Sequence, residues 1–249
     1  MEILKIAKKP NLDCMVCGEE LVYTSGYEAA KCYYCEKEFI TNVKCAKGHY
    51  VCEICHQKDV CDLIEEYCVN SKMLNPIELV NEIMRNKSIA MHGPEHHFLV
   101  PAVLLACYYN NKEQRQRNKK EKIAIAKKRA REIPSNSCGY LGACGAAIGS
   151  GIFMSIITES TPYSEERWTK ANELTGKTLV ELSKVTGPRC CKRAVFTAID
   201  ESERFLQKSL NLTIMGTNDV IICEHSKNNN QCIGKKCTYN RANYLSIEV

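Results

Sequence analysis

The segment SNSCGYLGACGAAIGSGIFMSI, residues 135–156, decides the fold: two cysteines stand in an uncharged run of glycine, alanine and larger apolar residues. Small residues at this density let a helix pack closely against its neighbours, and they also let backbone approach a ligand. If a helix begins near Gly145, Cys144 lies where unpaired N–H groups and the helix dipole stabilise a thiolate. The segment therefore predicts a buried helix from Gly149 onward and a thiol site at Cys138 and Cys144.

The flanking sequence predicts more helices. EHHFLVPAVLLACYYN, residues 95–110, is apolar on every side and is typical of a buried helix. Thr161–Pro162 and Pro188 each indicate a helix whose first turn holds a proline. Only LTIMGTNDVIICEH, residues 212–225, resembles a β-strand. We therefore expect a mainly α fold, with a helical domain over residues 71–249.

The N-terminal region, residues 1–70, has a different composition. It holds nine of the 17 cysteines but little apolar periodicity, so we expect a small zinc-ribbon/RING-like module held together by metal. Two C-x-x-C pairs separated by fourteen residues are followed by CAKGHYVCEICH, which mixes cysteine and histidine at metal-ligand spacing. The predicted ligands are Cys14, Cys17, Cys32, Cys35, Cys45, His49, Cys52 and Cys55. Eight ligands predict two zinc ions.

The spacing leaves the pairing and the metal open. The first two C-x-x-C pairs have the spacing of a zinc ribbon that shares one ion, whereas the later ligands favour cross-bracing, in which ligands to two ions alternate along the chain. Iron in a rubredoxin-like site is the alternative to zinc. A RING-type ubiquitin ligase is disfavoured, because only Cys61 and Cys68 follow, without the last C-x-x-C pair.

The helical domain carries a second set of cysteines. GPRCCKR places Cys190 and Cys191 among basic residues, which depress thiol pKa values, and helix geometry suggests that only one of the two faces a site. The polar tail CEHSKNNNQCIGKKC, residues 223–237, offers three more thiols with no core to fill. Together these cysteines indicate an iron–sulfur cluster or a thiol-dependent site. The candidate cofactor ligands are Cys138, Cys144, Cys190, Cys191, Cys223, Cys232 and Cys237.

A histidine cluster precedes the buried helix. His92, His96 and His97 surround Glu95 in MHGPEHHFLVP, where imidazoles titrate near neutral pH and can bind a metal or exchange protons. If the protein is an enzyme, Cys144 or Cys190 is the expected nucleophile, with His96 or His97 as acid or base.

Four motifs carry a resemblance to known families. GACGAAIGSGIF, followed by the cysteine pair of GPRCCKR, resembles the redox-active family named for its C-GCAxxG-C-C pattern, although GACGAA stands for GCAxxG and the last two cysteines are adjacent. Together with GPEHHFLVPAVLLA and the closing C-x-G-x-x-C, these motifs resemble an uncharacterised cysteine-rich family of anaerobic archaea and bacteria over residues 76–237. The resemblance implies an anaerobe and a redox or sulfur context, with no established reaction.

Composition narrows the class of protein. The chain of 249 residues has a net charge of +5, but ten of its 34 lysines and arginines lie in residues 112–131, so the composition does not favour a nucleic-acid-binding protein. No long apolar run indicates a signal or membrane segment, and many cysteines without an export signal indicate the cytoplasm. We expect a metal-binding redox or sulfur-handling protein that meets a redox or sulfur-transfer partner. The alternatives are a cysteine-nucleophile enzyme and a zinc-finger adaptor that contacts RNA through the basic segment, residues 112–131.

Overall fold

Contacts between residues divide the chain into two units. The computed structural model describes residues 14, 16, 19–52, 55, 60–111, 118–214 and 220–244. The first unit contains the described residues before 60 together with Asn86–Ser88, and the second contains Val60–Arg85 and the residues from 89 onward. This division, between residues 59 and 60, lies eleven residues before the boundary expected between residues 70 and 71. Contacts do not test whether each part folds alone, so the domain boundary stays a prediction.

The N-terminal unit is built on a β-hairpin. Strands β1 (Leu21–Lys31) and β2 (Glu38–Cys45) pair antiparallel, with an irregularity between Tyr23 and Glu28. Most side chains of β1 are exposed. The buried cluster described in this N-terminal unit consists of cysteines packed against aromatic and aliphatic side chains. The described part of this unit has little apolar core, and a bound metal ion is one way in which units of this kind are stabilised.

The second unit is helical, as the sequence predicts. No described helix is long and apolar enough to cross a membrane. The helices are α1 (Val60–Asn70), α2 (Pro76–Arg85), α3 (Glu95–Asn110), α4 (Lys119–Arg131), α5 (Ser137–Tyr140), α6 (Gly145–Ile157), α7 (Glu165–Ser183) and α8 (Cys191–Leu210). Three short 3₁₀ turns follow in the tail, at Ser226–Asn228, Gly234–Lys236 and Arg241–Asn243.

Helix α3 forms the centre of the helical unit. Its side chains from Phe98 to Tyr109 are all buried, and α1, α2, α4, α6 and α8 pack around it. Pro101 lies inside α3 and has no N–H, so it cannot donate to the carbonyl of His97 one turn earlier. That carbonyl lies against Gly149 of α6, where an added Cβ would be only 2.8 Å from the oxygen. A glycine is therefore required at the α3–α6 contact.

The next two residues of α6 face α7. The Ser150 hydroxyl donates to the carbonyl of Ala147 at 2.6 Å and lies 3.1 Å from the Thr178 hydroxyl. At Gly151, an added Cβ would lie 2.0 Å from Oγ1 of Thr175. The segment 149–151 thus packs α6 between α3 and α7, which confirms the predicted buried helix.

Three local predictions are wrong. Helices α7 and α8 begin at Glu165 and Cys191, three residues after Pro162 and Pro188, so the prolines shape the preceding turns. The described part of residues 212–225 forms no strand. The N–H of Ile214 instead donates to the buried carboxylate of Glu203, at 3.2 and 3.1 Å from its two oxygens, and this bond replaces a strand partner.

Candidate functional site

The N-terminal unit brings two sets of predicted metal ligands together. In each set, the ligand atoms of the described residues all lie within 4.8 Å of one another. One set contains Cys32, Cys35, Cys52 and Cys55; the other contains Cys14, Cys45 and His49. Predicted ligand Cys17 lies outside the described residues.

The two sets alternate along the chain. The pair at Cys32 and Cys35 lies with the pair at Cys52 and Cys55. Cys14 lies with Cys45 and His49, which stand between those two pairs in the sequence. The structure therefore has the cross-braced arrangement that the later ligands favour, and the ribbon-like sharing of one ion by Cys14 and Cys32 is not present. The hairpin explains this result, because β1 and β2 pair Leu21 with Cys45.

The distances in both sets fit a tetrahedral ion. A Zn–S bond of about 2.3 Å sets the separation of two sulfurs at about 3.8 Å, and the Sγ atoms of Cys35 and Cys52 lie 3.8 Å apart. Cys45 Sγ lies 3.4 Å from Nδ1 of His49, close to the sulfur–nitrogen separation of about 3.6 Å that follows from the usual bond lengths. Each set could hold one metal ion.

The backbone around the four-cysteine set prepares it for a cation. Burial opposes ionisation of Cys32, but backbone N–H donors from Cys35, Cys52 and Tyr34 outweigh it and lower the pKa of Cys32 to about 7. Burial and the neighbouring thiols raise the pKa values of Cys52 and Cys55. Several thiolates cannot accumulate in so small a space without a positive ion between them.

In the helical unit, the start of α8 divides the remaining candidate thiols into two groups. Cys190 is the N-cap of α8 and Cys191 is its first residue. Consecutive residues point about 100° apart on a helix. Each thiol lines a cavity that the other does not, and both line a wider groove. Both thiols therefore line cavities, and the expectation that only one of them faces a functional site stays a prediction.

Cys190 belongs to the first group, which lines a cavity of about 20 Å³. Its thiol accepts a hydrogen bond from the side-chain amide of Asn229 at 3.5 Å. The tail returns to α8 through a hydrogen bond of 3.1 Å from the Tyr239 hydroxyl to Thr197. The tail cysteines Cys223, Cys232 and Cys237 line the same cavity. We call these three cysteines and Cys190 the tail thiols.

A buried lysine lies beside the tail thiols. Lys192 is 1% exposed, lines the same cavity, and its Nζ has no hydrogen-bond partner among the described residues. Burial lowers the pKa of Lys192 to about 8, against the opposing influence of Glu95 and nearby cysteines. His225 lines the cavity too, and its pKa is lowered to about 4 by burial and by Lys192. The cavity thus contains a positive charge without a bonded counterion.

The tail thiols are not arranged like the N-terminal sets. Among the described residues, no three metal-ligand atoms of the helical unit lie within 4.8 Å of one another. This spacing does not match one tetrahedral ion, whose ligands must approach to about 4 Å. A cluster of several metal atoms separates its cysteine ligands further. The cavity between the tail thiols, about 20 Å³, is smaller than such a cluster, so the tail would have to move outward to bind one.

The second group lines another cavity, of about 140 Å³, which we call the thiol cavity. Its cysteines are Cys138, Cys144 and Cys191, and its histidines are His92, His96 and His97. Three helices begin at its wall, since residues at the starts of α3, α6 and α8 all line it. A wider groove of about 650 Å³ contains the same three cysteines together with Cys190.

Gly145 positions an imidazole at the start of α6. A Cβ on Gly145 would lie 2.1 Å from Cδ2 of His97, so only glycine lets this ring lie against the helix terminus. Burial lowers the pKa of His97, and also that of His96, whose ring is 1% exposed. The Nδ1 of His97 and the Nε2 of His96 are buried without hydrogen-bond partners. Both rings are therefore neutral near pH 7, with one nitrogen available as a proton acceptor.

The thiol of Cys144 sits at the same helix start. Burial raises its pKa, while the N–H groups of Ala146 and Ala147 oppose this effect. Cys191 behaves likewise: burial raises its pKa and the backbone N–H of Gly93 opposes it. These thiols are protonated at rest, and the helix termini stabilise a thiolate once a base removes the proton.

The structure thus sorts the predicted catalytic residues. Cys144, His96 and His97 line the thiol cavity, while Cys190 lies with the tail thiols and in the wider groove. Sequence reasoning missed Asn229, whose side chain donates to Cys190. An asparagine in a polar tail is common, and nothing in the sequence indicates this distant contact.

Some of the lysines in the basic segment 112–131, whose later part forms α4, are buried or paired with acidic side chains. Lys119 is buried and donates to the carbonyl of Ser71 at 2.8 Å. Lys127 is paired with Asp62 and with Glu65. Residues 112–117 lie outside the described part of the chain.

The comparisons with known proteins place the helical unit in a family. No curated protein and no solved structure matches the chain. The two N-terminal ligand sets precede the residues that the family model covers. That model, of the family of unknown function DUF5714, matches residues 64–240, more than half of the 249 residues, and the protein therefore belongs to this family.

Proposed function

We propose that the protein is a redox or sulfur-handling protein with an iron–sulfur cluster on its tail thiols and two structural zinc ions in its N-terminal unit. The observation that carries the proposal is the grouping of Cys190, Cys223, Cys232 and Cys237 around one cavity beside the buried ammonium of Lys192. Four cysteines are the usual ligand set of a cluster.

The charge of Lys192 supports a cofactor with negative charge. Burying an ammonium without a hydrogen-bonded partner costs several kcal/mol, and the charge of Glu95 offsets part of this cost, so the site favours further negative charge beside Nζ. Four thiolates and the sulfides of a cluster supply negative charge next to this position. The amide of Asn229 donates to Cys190, and such contacts to ligand sulfurs tune cluster potentials.

The spacing of the thiols supports different metals in the two units. The N-terminal sulfurs have the separation of a single tetrahedral ion, and a chain rich in cysteine and histidine ligands at this spacing suits zinc. The tail thiols include no three within 4.8 Å of one another, and four cysteines are the number of ligands that a cluster takes. The redox context and the origin in an anaerobe rest on the resemblance of the cysteine motifs, as does a redox or sulfur-transfer partner.

Anaerobic purification tests the proposal. We expect a brown protein with about two to four iron atoms and a similar amount of sulfide per chain, together with about two zinc ions. Cys190→Ser should lower the iron content and leave the zinc content unchanged. Cys61→Ser, outside both N-terminal sets and the tail thiols, is the matched control and should change neither. A colourless protein that takes up no iron after anaerobic reconstitution with iron and sulfide would refute the cluster.

A second function is supported by the thiol cavity. It brings Cys144 together with two imidazoles that can accept a proton, which is the chemistry of a nucleophilic thiol. We therefore propose that the helical unit also carries out thiol chemistry on a small molecule. Alkylation with one equivalent of iodoacetamide should label Cys144 fastest; uniformly slow labelling of all thiols would contradict this role.

A further inference from the structure

The walls of the thiol cavity carry positive potential. The starts of α3, α6 and α8 meet there, and each helix N-terminus presents unpaired N–H groups and the positive end of a dipole. Arg189 lines the cavity as well, and its Nη1 donates to Oδ1 of Asn136 at 2.6 Å. Among the described residues that line the cavity, none has a carboxylate side chain. Glu95 lies beside His96, outside the lining, and the three helix starts together with Arg189 outweigh its one negative charge in favour of an anion.

A buried polar group points to a ligand independently of the helix termini. His96 lines the cavity and is 1% exposed, and its Nδ1 lies 3.0 Å from the carbonyl of Gly93. Oε1 of the Glu95 carboxylate also lies 3.3 Å from this Nδ1. These two acceptors place the proton of the neutral ring on Nδ1 and leave Nε2 as an acceptor without a partner. Nearly all buried polar side-chain atoms have a partner, so a ligand or a transferred proton is expected at this nitrogen.

The volume limits the size of the ligand. An apolar cavity of about 150 Å³ binds benzene, which has six carbon atoms, and the thiol cavity measures about 140 Å³. The wider groove provides access from solvent. The ligand therefore has at most about six non-hydrogen atoms.

The chemistry of the wall selects a class of anion. Three thiols surround the ligand space, so the reacting partner is a species that a thiol can attack. A sulfur oxyanion with a sulfane sulfur, such as thiosulfate, combines negative charge, small size and such a centre. It also transfers sulfur without an outside oxidant or reductant.

We infer that the thiol cavity binds a small sulfane-sulfur oxyanion of the thiosulfate class and transfers its outer sulfur to Cys144. This inference deepens the sulfur-handling part of the proposed function and does not depend on the cluster. In the first step, His97 or His96 takes the proton of the Cys144 thiol. The thiolate then attacks the outer sulfur of thiosulfate and forms a new S–S bond.

The balance of the step is complete. The S–S bond within thiosulfate breaks, its electron pair leaves with sulfite, and Cys144 carries a persulfide. Arg189 and the helix termini hold the oxyanion, and the N–H groups of Ala146 and Ala147 stabilise the sulfur of Cys144 as thiolate and persulfide. Gly145 is required because it lets the His97 ring lie at the same helix start.

Mass spectrometry of the whole protein after anaerobic incubation with thiosulfate tests the inference. We expect one added sulfur atom, mapped to Cys144, release of sulfite, and no addition in Cys144→Ser. Arg189→Gln should raise the thiosulfate concentration for half-maximal labelling about tenfold, through loss of a charge-assisted contact. Arg204→Gln is the matched control, because Arg204 pairs with Asp200 and Glu201 on α8, and it should label like the unaltered protein.

The outcomes separate this inference from the cluster. No persulfide on any cysteine, or a persulfide on Cys138 or Cys191 instead of Cys144, would overturn it. Equal labelling of the exposed Cys232 would show general thiol reactivity and would overturn it too. Labelling of Cys144 in a protein without iron supports the inference while the cluster fails. Sulfate and acetate should slow labelling by competition and should transfer nothing.

Discussion

Replacing Gly149 by alanine tests the contact on which the helical unit is built. The new Cβ would lie 2.8 Å from the His97 carbonyl oxygen, 2.9 Å from Cδ of Pro101 and 3.2 Å from Cβ of Val100. Two of these atoms belong to the backbone or to a proline ring, which cannot rotate away. Helices α3 and α6 must therefore separate, and overpacking of this kind costs about 1–3 kcal/mol of stability.

The matched control is Gly176→Ala in α7. Both glycines lie inside helices, so both variants gain the helix preference of alanine, about 1 kcal/mol. A Cβ on Gly176 meets nothing within 4 Å, so this variant should be more stable than the unaltered protein. Because the helix preference is common to both, the free energy of unfolding of Gly149→Ala should lie about 1–3 kcal/mol below that of Gly176→Ala.

Denaturant unfolding followed by far-ultraviolet circular dichroism measures this difference, because the helices of the second unit dominate that signal. In thermal unfolding, the same difference corresponds to about 2–4 °C per kcal/mol for a unit of this size. If Gly149→Ala is as stable as Gly176→Ala, the close approach of α3 and α6 does not hold the fold together, and the reasoning is wrong.

Three further changes have definite expected outcomes. Cys35→Ser should lower the zinc content by about one ion, as measured by elemental analysis, whereas zinc loss in the control Cys61→Ser would argue against the assigned ligands. Because burial lowers the pKa of His96, the folded state binds fewer protons than the unfolded state below about pH 6.5, and the free energy of unfolding falls as the pH falls. His96→Gln should flatten this dependence by up to about 1.4 kcal/mol per pH unit. An unchanged dependence in denaturant titrations at several pH values would contradict this role of His96. Glu203→Ala leaves the N–H of Ile214 without its acceptor and should cost about 1–3 kcal/mol in the same titrations; no loss would mean that water replaces the carboxylate.

The sequence was most informative where a pattern is local. The apolar run of residues 95–110 predicts a buried helix because no polar face is available, and α3 is that helix. The C-x-x-C spacings likewise indicate ligand sets, and the structure brings thiols together at Cys32 and Cys52. Pairing between the sets was left open, since it depends on the register of the β1–β2 hairpin rather than on spacing along the chain.

Helix starts and the tail were predicted less well for a physical reason. Pro162 and Pro188 fix a backbone angle that suits both a turn and a first helical residue, so the same residue type allows either. The segment 212–225 has β-branched residues, but a strand needs a partner, and Glu203 takes the N–H of Ile214 instead. The separation of Cys190 from Cys191 depends on where the distant tail returns, which no local pattern encodes.

Packing and chemistry are coupled through His97. Its carbonyl, left without a helical donor by Pro101, lies against Gly149, while its ring lies against Gly145 one turn earlier on α6. A change that moves α3 away from α6 at Gly149 must also move the imidazole away from the thiol of Cys144. Gly149→Ala should therefore slow alkylation and sulfur transfer at Cys144 as well as lower stability, whereas Gly151→Ala, which disturbs the α7 side of the same helix, should affect stability alone. Gly149 thus allows the contact between α3 and α6, and Gly145 allows the imidazole to lie at the start of α6; both contact His97. This is why one glycine-rich segment contains both the helix contact and Cys144.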